Sequence, residues 1–165
     1  MRLLDAFVEL REAEYGEEHP LTANALRELG MSLSKLERFI TRRRAIAALY
    51  DARFAGLAPT VRRAARTAGV EPAWHLYVLL IDFTALGTTR DAVFARLAHD
   101  DVGAQVHYMP VHLQPYYRQR APDLDLPGAQ AYYEAALSLP IHPSMSDADV
   151  ETVASAVLEL LDAKR

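Results

Sequence analysis

Residues 105–120, "QVHYMPVHLQPYYRQR", place two histidines, three tyrosines and two prolines in a stretch with no charge before Arg118. Imidazole can move protons near neutral pH or hold a metal, and phenols can donate hydrogen bonds to a polar ligand. His107 and His112, with His75 and His142, therefore raise zinc or copper ligation. These histidines lack the i,i+4 helical spacing of a preformed site, and no carboxylate stands beside them, so no metal is expected. Serine chemistry is no better supported. Ser32, Ser34, Ser138, Ser144, Ser146 and Ser155 include no nucleophile elbow, and Ser146 suits a helix cap. The absence of cysteine removes disulfides, thiolate zinc sites and cysteine nucleophiles.

The chain of 165 residues is 51% hydrophobic and 24% charged, the proportions of one ordinary globular domain. No run approaches the roughly 18 apolar residues of a membrane span. Asp5, Glu9, Glu12 and Glu14 interrupt what would be a signal peptide's apolar centre, so the expectation is a soluble cytoplasmic protein with no membrane partner. A net charge of −4 argues against a nucleic-acid partner, although Arg42, Arg43, Arg44, Arg62, Arg63 and Arg66 cluster locally. The triplet follows Glu37 and suits a solvated helix face. Lysine occurs only at Lys35 and Lys164.

Hydrophobic periodicity supplies the elements that would position the aromatic stretch. Leu4, Phe7, Val8 and Leu10 predict a short helix within residues 1–20, broken at Gly16 and Pro20. Leu26, Leu29, Leu33, Leu36, Ile40, Ala47, Tyr50 and Phe54 predict one long amphipathic helix over 21–56, with Thr22 as its N-cap and Gly56 and Pro59 closing it. Residues 57–72 read as a connecting segment at the start of a domain spanning 57–165. Within that domain, 73–82 predicts a strand covered on both faces. Thr88 with Asp91 forms a capping box before a helix through Leu97, and "AQVHY" reads as a second strand. A helix opens at Pro127 and runs through Leu137, "SLPIHP" is a short edge strand, and Ser146 with Asp149 caps a last helix striped by Val150, Val153, Ala154, Val157 and Leu161. The order β-α-β-α-β-α without a Gly-rich turn indicates α+β rather than a nucleotide-binding Rossmann unit.

Three segments, "AWHLYVLLID", "RDAVFARLAHDDVGAQVHYMPVHLQPYYRQ" and "AQAYYEAALSLPIHPSMSDADVETVASAV", together resemble the C-terminal small domain of the DegT/StrS sugar-nucleotide aminotransferases. The pseudaminic-acid-type branch, which acts on UDP-linked 4-keto sugars, is the nearest in character. Residues 21–57 resemble the long helix that leads into that domain. The resemblance implies a small domain of the aspartate-aminotransferase fold, with a short, mainly antiparallel sheet and helices. It implies pyridoxal phosphate (PLP) as the family's cofactor, and His107, Tyr108 and His112 as residues lining the sugar end of the active-site mouth.

The family's cofactor lysine lies in a Ser-x-His-x-x-Lys stretch with no counterpart here. Its Gly-Tyr-Asn-Tyr-Arg segment, which reaches a neighbour's PLP phosphate, is replaced by "GEEHP" at 16–20. Lys35 falls off the apolar stripe and Lys164 is penultimate, so neither suits a rigid Schiff base. The resulting expectation is a truncated or stand-alone C-terminal domain, with no catalytic residue and no cofactor in the isolated chain, serving as a binding or assembly module. The alternative is a subunit that completes a PLP site with a separately encoded large-domain chain. A sugar nucleotide is the expected ligand and a homodimer through the 21–56 helix the expected assembly, because several leucines on that stripe would otherwise meet water.

Overall fold

The computed structural model describes residues 2–16 and 19–162, with side chains described over 5–16 and 19–161. The side chain of Leu4, and residues Glu17, Glu18 and Lys164 of the sequence reading, lie outside that set. The chain divides into two compact units, 1–42 and 43–165.

The first unit holds α1 (Arg2–Tyr15) and most of α2 (Pro20–Arg53). Gly16, at φ 85°, takes the left-handed conformation that ends α1, and its N–H reaches Glu12 O at 2.9 Å. Pro20 is the first residue of α2, a position that needs no N–H donor. Thr22 is therefore not the N-cap that its residue type suggested. It lies inside the helix, fully buried, and its Oγ1 donates back to Gly16 O at 2.8 Å. Val8 and Ala25 are the buried apolar residues among those described in this unit, whereas Leu26, Met31, Leu36 and Phe39 are each about half exposed.

The second unit has one core, supplied by the last turns of α2, an antiparallel sheet and the helices that follow. Ile46, Ala47, Tyr50 and Phe54 enter it from α2. The Tyr50 hydroxyl donates to Pro140 O at 2.9 Å, and its ring packs 4.8 Å from Tyr77. The strands are β1 (Val61–Arg63), β2 (Tyr77–Ile81) and β3 (Ala136–Leu139), with β2 in the centre and both neighbours antiparallel to it. Val61 faces Ile81, and Tyr77 faces Leu139. On β2, Tyr77, Leu79 and Ile81 are buried while Val78 and Leu80 are half-buried, matching a strand covered on both faces.

Between β2 and β3 lie α3 (Arg90–His99), a 3-10 turn at Val111–Leu113, α4 (Pro115–Arg120) and α5 (Pro127–Ala135); α6 (Asp147–Asp162) closes the unit. The α+β class and the mainly antiparallel sheet agree with the sequence reading. So does the start of α6, where Asp149 N–H reaches Ser146 Oγ at 3.1 Å and the Asp149 carboxylate accepts Ser146 N–H at 2.8 Å.

Several boundaries differ, each for a tertiary reason. Residues 57–72 are not merely connecting, because β1 forms there against the open edge of β2, with Asp82 N–H to Thr60 O at 2.9 Å. The 73–82 strand begins only at Tyr77, since Trp74 has φ 25° and turns the chain. The cap of α3 is Thr89, which accepts from Ala92 N–H at 3.2 Å, one residue later than expected. The "AQVHY" strand shrinks to a single bridge between Gln105 and Ser138. The helix opened by Pro127 ends at Ala135 because Ala136–Leu139 pair with β2; β3 thus precedes Pro140, which has no N–H to continue a ladder.

Candidate functional site

The aromatic stretch begins at the sheet. Gln105 N–H reaches Ser138 O at 3.0 Å, and Ser138 N–H returns to Gln105 O at 2.8 Å, fixing the point at which the chain leaves β3. Two residues on, half-buried His107 has Nδ1 2.9 Å from Ser138 Oγ, and its ring meets Tyr108 edge-on at 4.8 Å. Ser138 is buried, so this contact anchors the imidazole from beneath and leaves Nε2 as the other polar atom of the ring. Tyr108, 73% exposed, presents its phenol to solvent.

Pro110 opens the 3-10 turn, with Leu113 N–H on Pro110 O at 2.9 Å, and Pro115 opens α4. The turn carries His112 inward. It is only 8% exposed, and its Nε2 finds no partner among the described residues. His107 and Tyr108 are thus brought together, while no hydrogen bond or ring contact joins His112 to either. Around them Met109, Val111, Tyr116 and Tyr117 are each about half exposed, and Arg120 lies 3.7 Å above the Tyr116 ring. One exposed imidazole edge, one phenol and an apolar surround can bind and orient a polar ligand. They include no nucleophile paired with a base.

Sequence reasoning missed two residue groups. Ser138 reads in the sequence as an edge-strand serine outside any nucleophile elbow, although its i−2 and i+2 neighbours Ala136 and Pro140 mark it as the one polar side chain on that face. The second group joins the end of α2 to the sheet. Asp51 Oδ1 accepts from Arg66 at 2.6 Å, from the Tyr77 hydroxyl at 2.8 Å and lies 3.1 Å from Arg63. Burial alone would raise the Asp51 carboxyl, but the hydrogen bonds from Arg66, Tyr77 and Arg63 outweigh it and hold it below the usual carboxylate range. Burial, and then the bond to Asp51, push the Tyr77 phenol well up. Arg66 also stacks over Trp74 at 4.4 Å.

His142 bonds Ser144 Oγ at 2.8 Å and His75 is exposed; among the described residues no group of three or more His, Asp or Glu could hold a metal ion. PLP does not fit the described residues either. It needs a lysine held rigidly against it and donors around its phosphate. Lys35 is exposed on α2 in the first unit, and the 43–161 side chains include no lysine. No step through that cofactor is derived from this chain. No helix among the described residues is long and apolar enough to cross a membrane.

This arrangement has relatives. The spore coat polysaccharide biosynthesis protein SpsC of Bacillus subtilis is 37% identical over 132 residues, covering 78% of this chain and 34% of SpsC. PseC of Helicobacter pylori, an aminotransferase involved in the biosynthesis of pseudoaminic acid, superposes with a TM-score of 0.71 over 86% of this chain and 37% of PseC. At 24% identity that likeness concerns the fold. The PLP form of Spr1654 from Streptococcus pneumoniae superposes with a TM-score of 0.70 at 26% identity, over 86% of this chain and 36% of Spr1654. The chain thus spans about a third of the length of the relatives it matches. The profile of the DegT/DnrJ/EryC1/StrS aminotransferase family matches residues 25–158, from the first turns of α2 almost to the end of α6, and the chain belongs to that family.

Proposed function

We propose that this chain is the C-terminal small-domain part of a PLP-dependent sugar-nucleotide aminotransferase and that, alone, it is a non-catalytic binding or assembly module. The observation that carries this reading is the lysine inventory: Lys35 lies exposed on α2, and the one other lysine is Lys164. Its ligand would be a sugar nucleotide met by His107, Tyr108 and His112, its assembly a homodimer through the helix of residues 21–56, and its compartment the cytoplasm. An absorbance scan between about 330 and 430 nm after mixing with PLP tests the non-catalytic reading, because a Schiff base absorbs there. No band is expected from the isolated chain. A band, or amino exchange between glutamate and a UDP-4-keto sugar, that is lost in Lys35→Ala would overturn it.

The second reading is a subunit that completes a PLP site with a separately encoded large-domain chain. Coverage favours it: the chain spans about a third of SpsC and of PseC and the one lysine among its described residues, Lys35, lies exposed on α2, so a PLP site would need residues from another polypeptide. An absorbance band that appears only on mixing the two chains is the expected result for this reading.

A further inference from the structure

A separate feature of the second unit is the free edge of its sheet. β1 is a terminal strand, and its ladder to β2 uses Thr60 O, which accepts from Asp82 N–H at 2.9 Å, and Ala64 N–H, which donates to Val78 O at 3.1 Å. In an antiparallel pair the intervening residues turn their backbone groups the other way. Val61 N–H is taken by Leu57 O at 3.3 Å, but Val61 C=O and both backbone groups of Arg63 meet no hydrogen-bond partner among the described residues. Such an edge is a template for one more strand.

Beside this edge runs a groove of about 420 Å³, bounded by residues 54–58 and 61–66. Phe54, Leu57 and Val61 supply its apolar part, and Arg62, Arg63 and Arg66 its charge. Asp51 balances one of the three guanidinium groups through its bonds to Arg63 and Arg66. Exposed Arg62 makes no ion pair among the described residues. The edge therefore carries a surplus of positive charge beside an apolar slot. A second copy pairing edge to edge would bring the arginines at 62 and 63 of the two copies close together across the pair, and like charges facing across a strand pair are destabilising.

We propose that the β1 edge and its groove take up an extended peptide in which acidic and apolar residues alternate, added to the sheet beside β1. Main-chain hydrogen bonds to Val61 C=O and Arg63 hold the peptide's register, its carboxylates lie on the face of the sheet that carries Arg62, and its apolar side chains lie on the opposite face, beside Val61 and the groove. Alternation follows from the period of two in a strand, which sends every second side chain to the same face.

A fluorescent Asp-Val-Asp-Val-Asp peptide tests this on the intact chain, with anisotropy for affinity and NMR for the Arg63 amide. Saturable binding with a dissociation constant under about 1 mM is expected, together with a shift and slowed exchange of the Arg63 N–H. The same peptide N-methylated at alternate amides should not bind, and Arg62→Glu, which leaves the Asp51 cluster in place, should weaken binding about tenfold or more. No saturable binding at 1 mM overturns the proposal. So does equal binding of the N-methylated peptide, which means charge attraction without strand addition, or a Lys-Val-Lys-Val-Lys peptide binding as well. Concentration-dependent protection of the Arg63 N–H without any peptide also overturns it, in favour of a second copy at this edge. The N-methylation arm uses the unaltered protein, so a failure of Arg62→Glu to fold would not blunt the test. Because no arm involves PLP, the outcome is also independent of the aminotransferase reading.

Discussion

The two ends of α2 obey the same sequence rule and meet different fates. In the first unit Leu26 and Leu36 lie on the apolar stripe yet are 46% and 51% exposed, while in the second unit Ala47, Tyr50 and Phe54 of the same stripe are almost wholly buried. Periodicity therefore specified a helix at both ends, and cover at only one. The covered end is also the one with polar ties to the sheet, through Tyr50 to Pro140 and Asp51 to Tyr77. Helical pattern is a local property, whereas burial depends on what else the chain brings to that face.

The sharpest way to break this comparison is to cut a side chain of equal size from each unit. Leu79→Ala removes a fully buried side chain from the second unit and should cost about 2–5 kcal/mol in denaturant unfolding. Leu26→Ala should change the stability of the dilute chain by less than about 0.5 kcal/mol. A cost at Leu26 as large as that at Leu79 would mean that the stripe is covered in the first unit as well.

A smaller effect is expected at the polar tie. Asp51→Asn removes the charge on which Arg63 and Arg66 converge and should destabilise by about 1–3 kcal/mol at neutral pH. The sign with pH follows from the carboxyl being held below its ordinary 3.8 in the folded chain. Its contribution is complete above that ordinary value and is lost as pH falls through the lower, folded one. The gap between the parent and Asp51→Asn should therefore narrow in acid, measured as unfolding midpoints between about pH 6 and 3. A gap independent of pH would show that the carboxylate's charge is not what holds the end of α2.

Next in size is Ser146→Ala at the start of α6, expected to cost about 1 kcal/mol because Asp149 N–H then loses the Ser146 oxygen. Features of this kind were legible in the sequence. The Ser146–Asp149 box and the stripe from Val150 to Leu161 lie within one element, so spacing alone encodes them. What escaped the sequence depends on chain brought from elsewhere. β1 is Val-Arg-Arg, without an extended pattern of its own, and exists because β2 offers an open edge. Thr22 has the residue type of a cap, but Pro20 begins the helix and the Thr22 hydroxyl serves Gly16 instead. At the candidate site, the clustering of His107, Tyr108 and His112 along the chain was legible. The division of labour was not: Ser138, on β3, holds His107 from below, and the 3-10 turn carries His112 inward.

The smallest expected change in stability comes with the largest expected change in assembly. Leu33→Glu with Leu36→Glu alters a half-buried and an exposed position of α2, so the monomer's unfolding should move by roughly 0.5 kcal/mol per site or less. If the homodimer of the functional proposal forms through this stripe, the same two charges would be buried in it without partners, and such burial is far more costly than an exposed substitution. A two-fold contact doubles the penalty, because each change appears on both sides of the axis. Light scattering at tens of micromolar should therefore find the unmodified chain dimeric and the double variant monomeric, with matching circular dichroism. A monomeric parent would leave Leu26, Met31, Leu36 and Phe39 exposed in solution as well, and would remove α2 as the dimer contact. A variant that unfolds instead would mean that the first unit depends on this stripe for its own stability, and the contrast between the two ends of α2 would be one of degree.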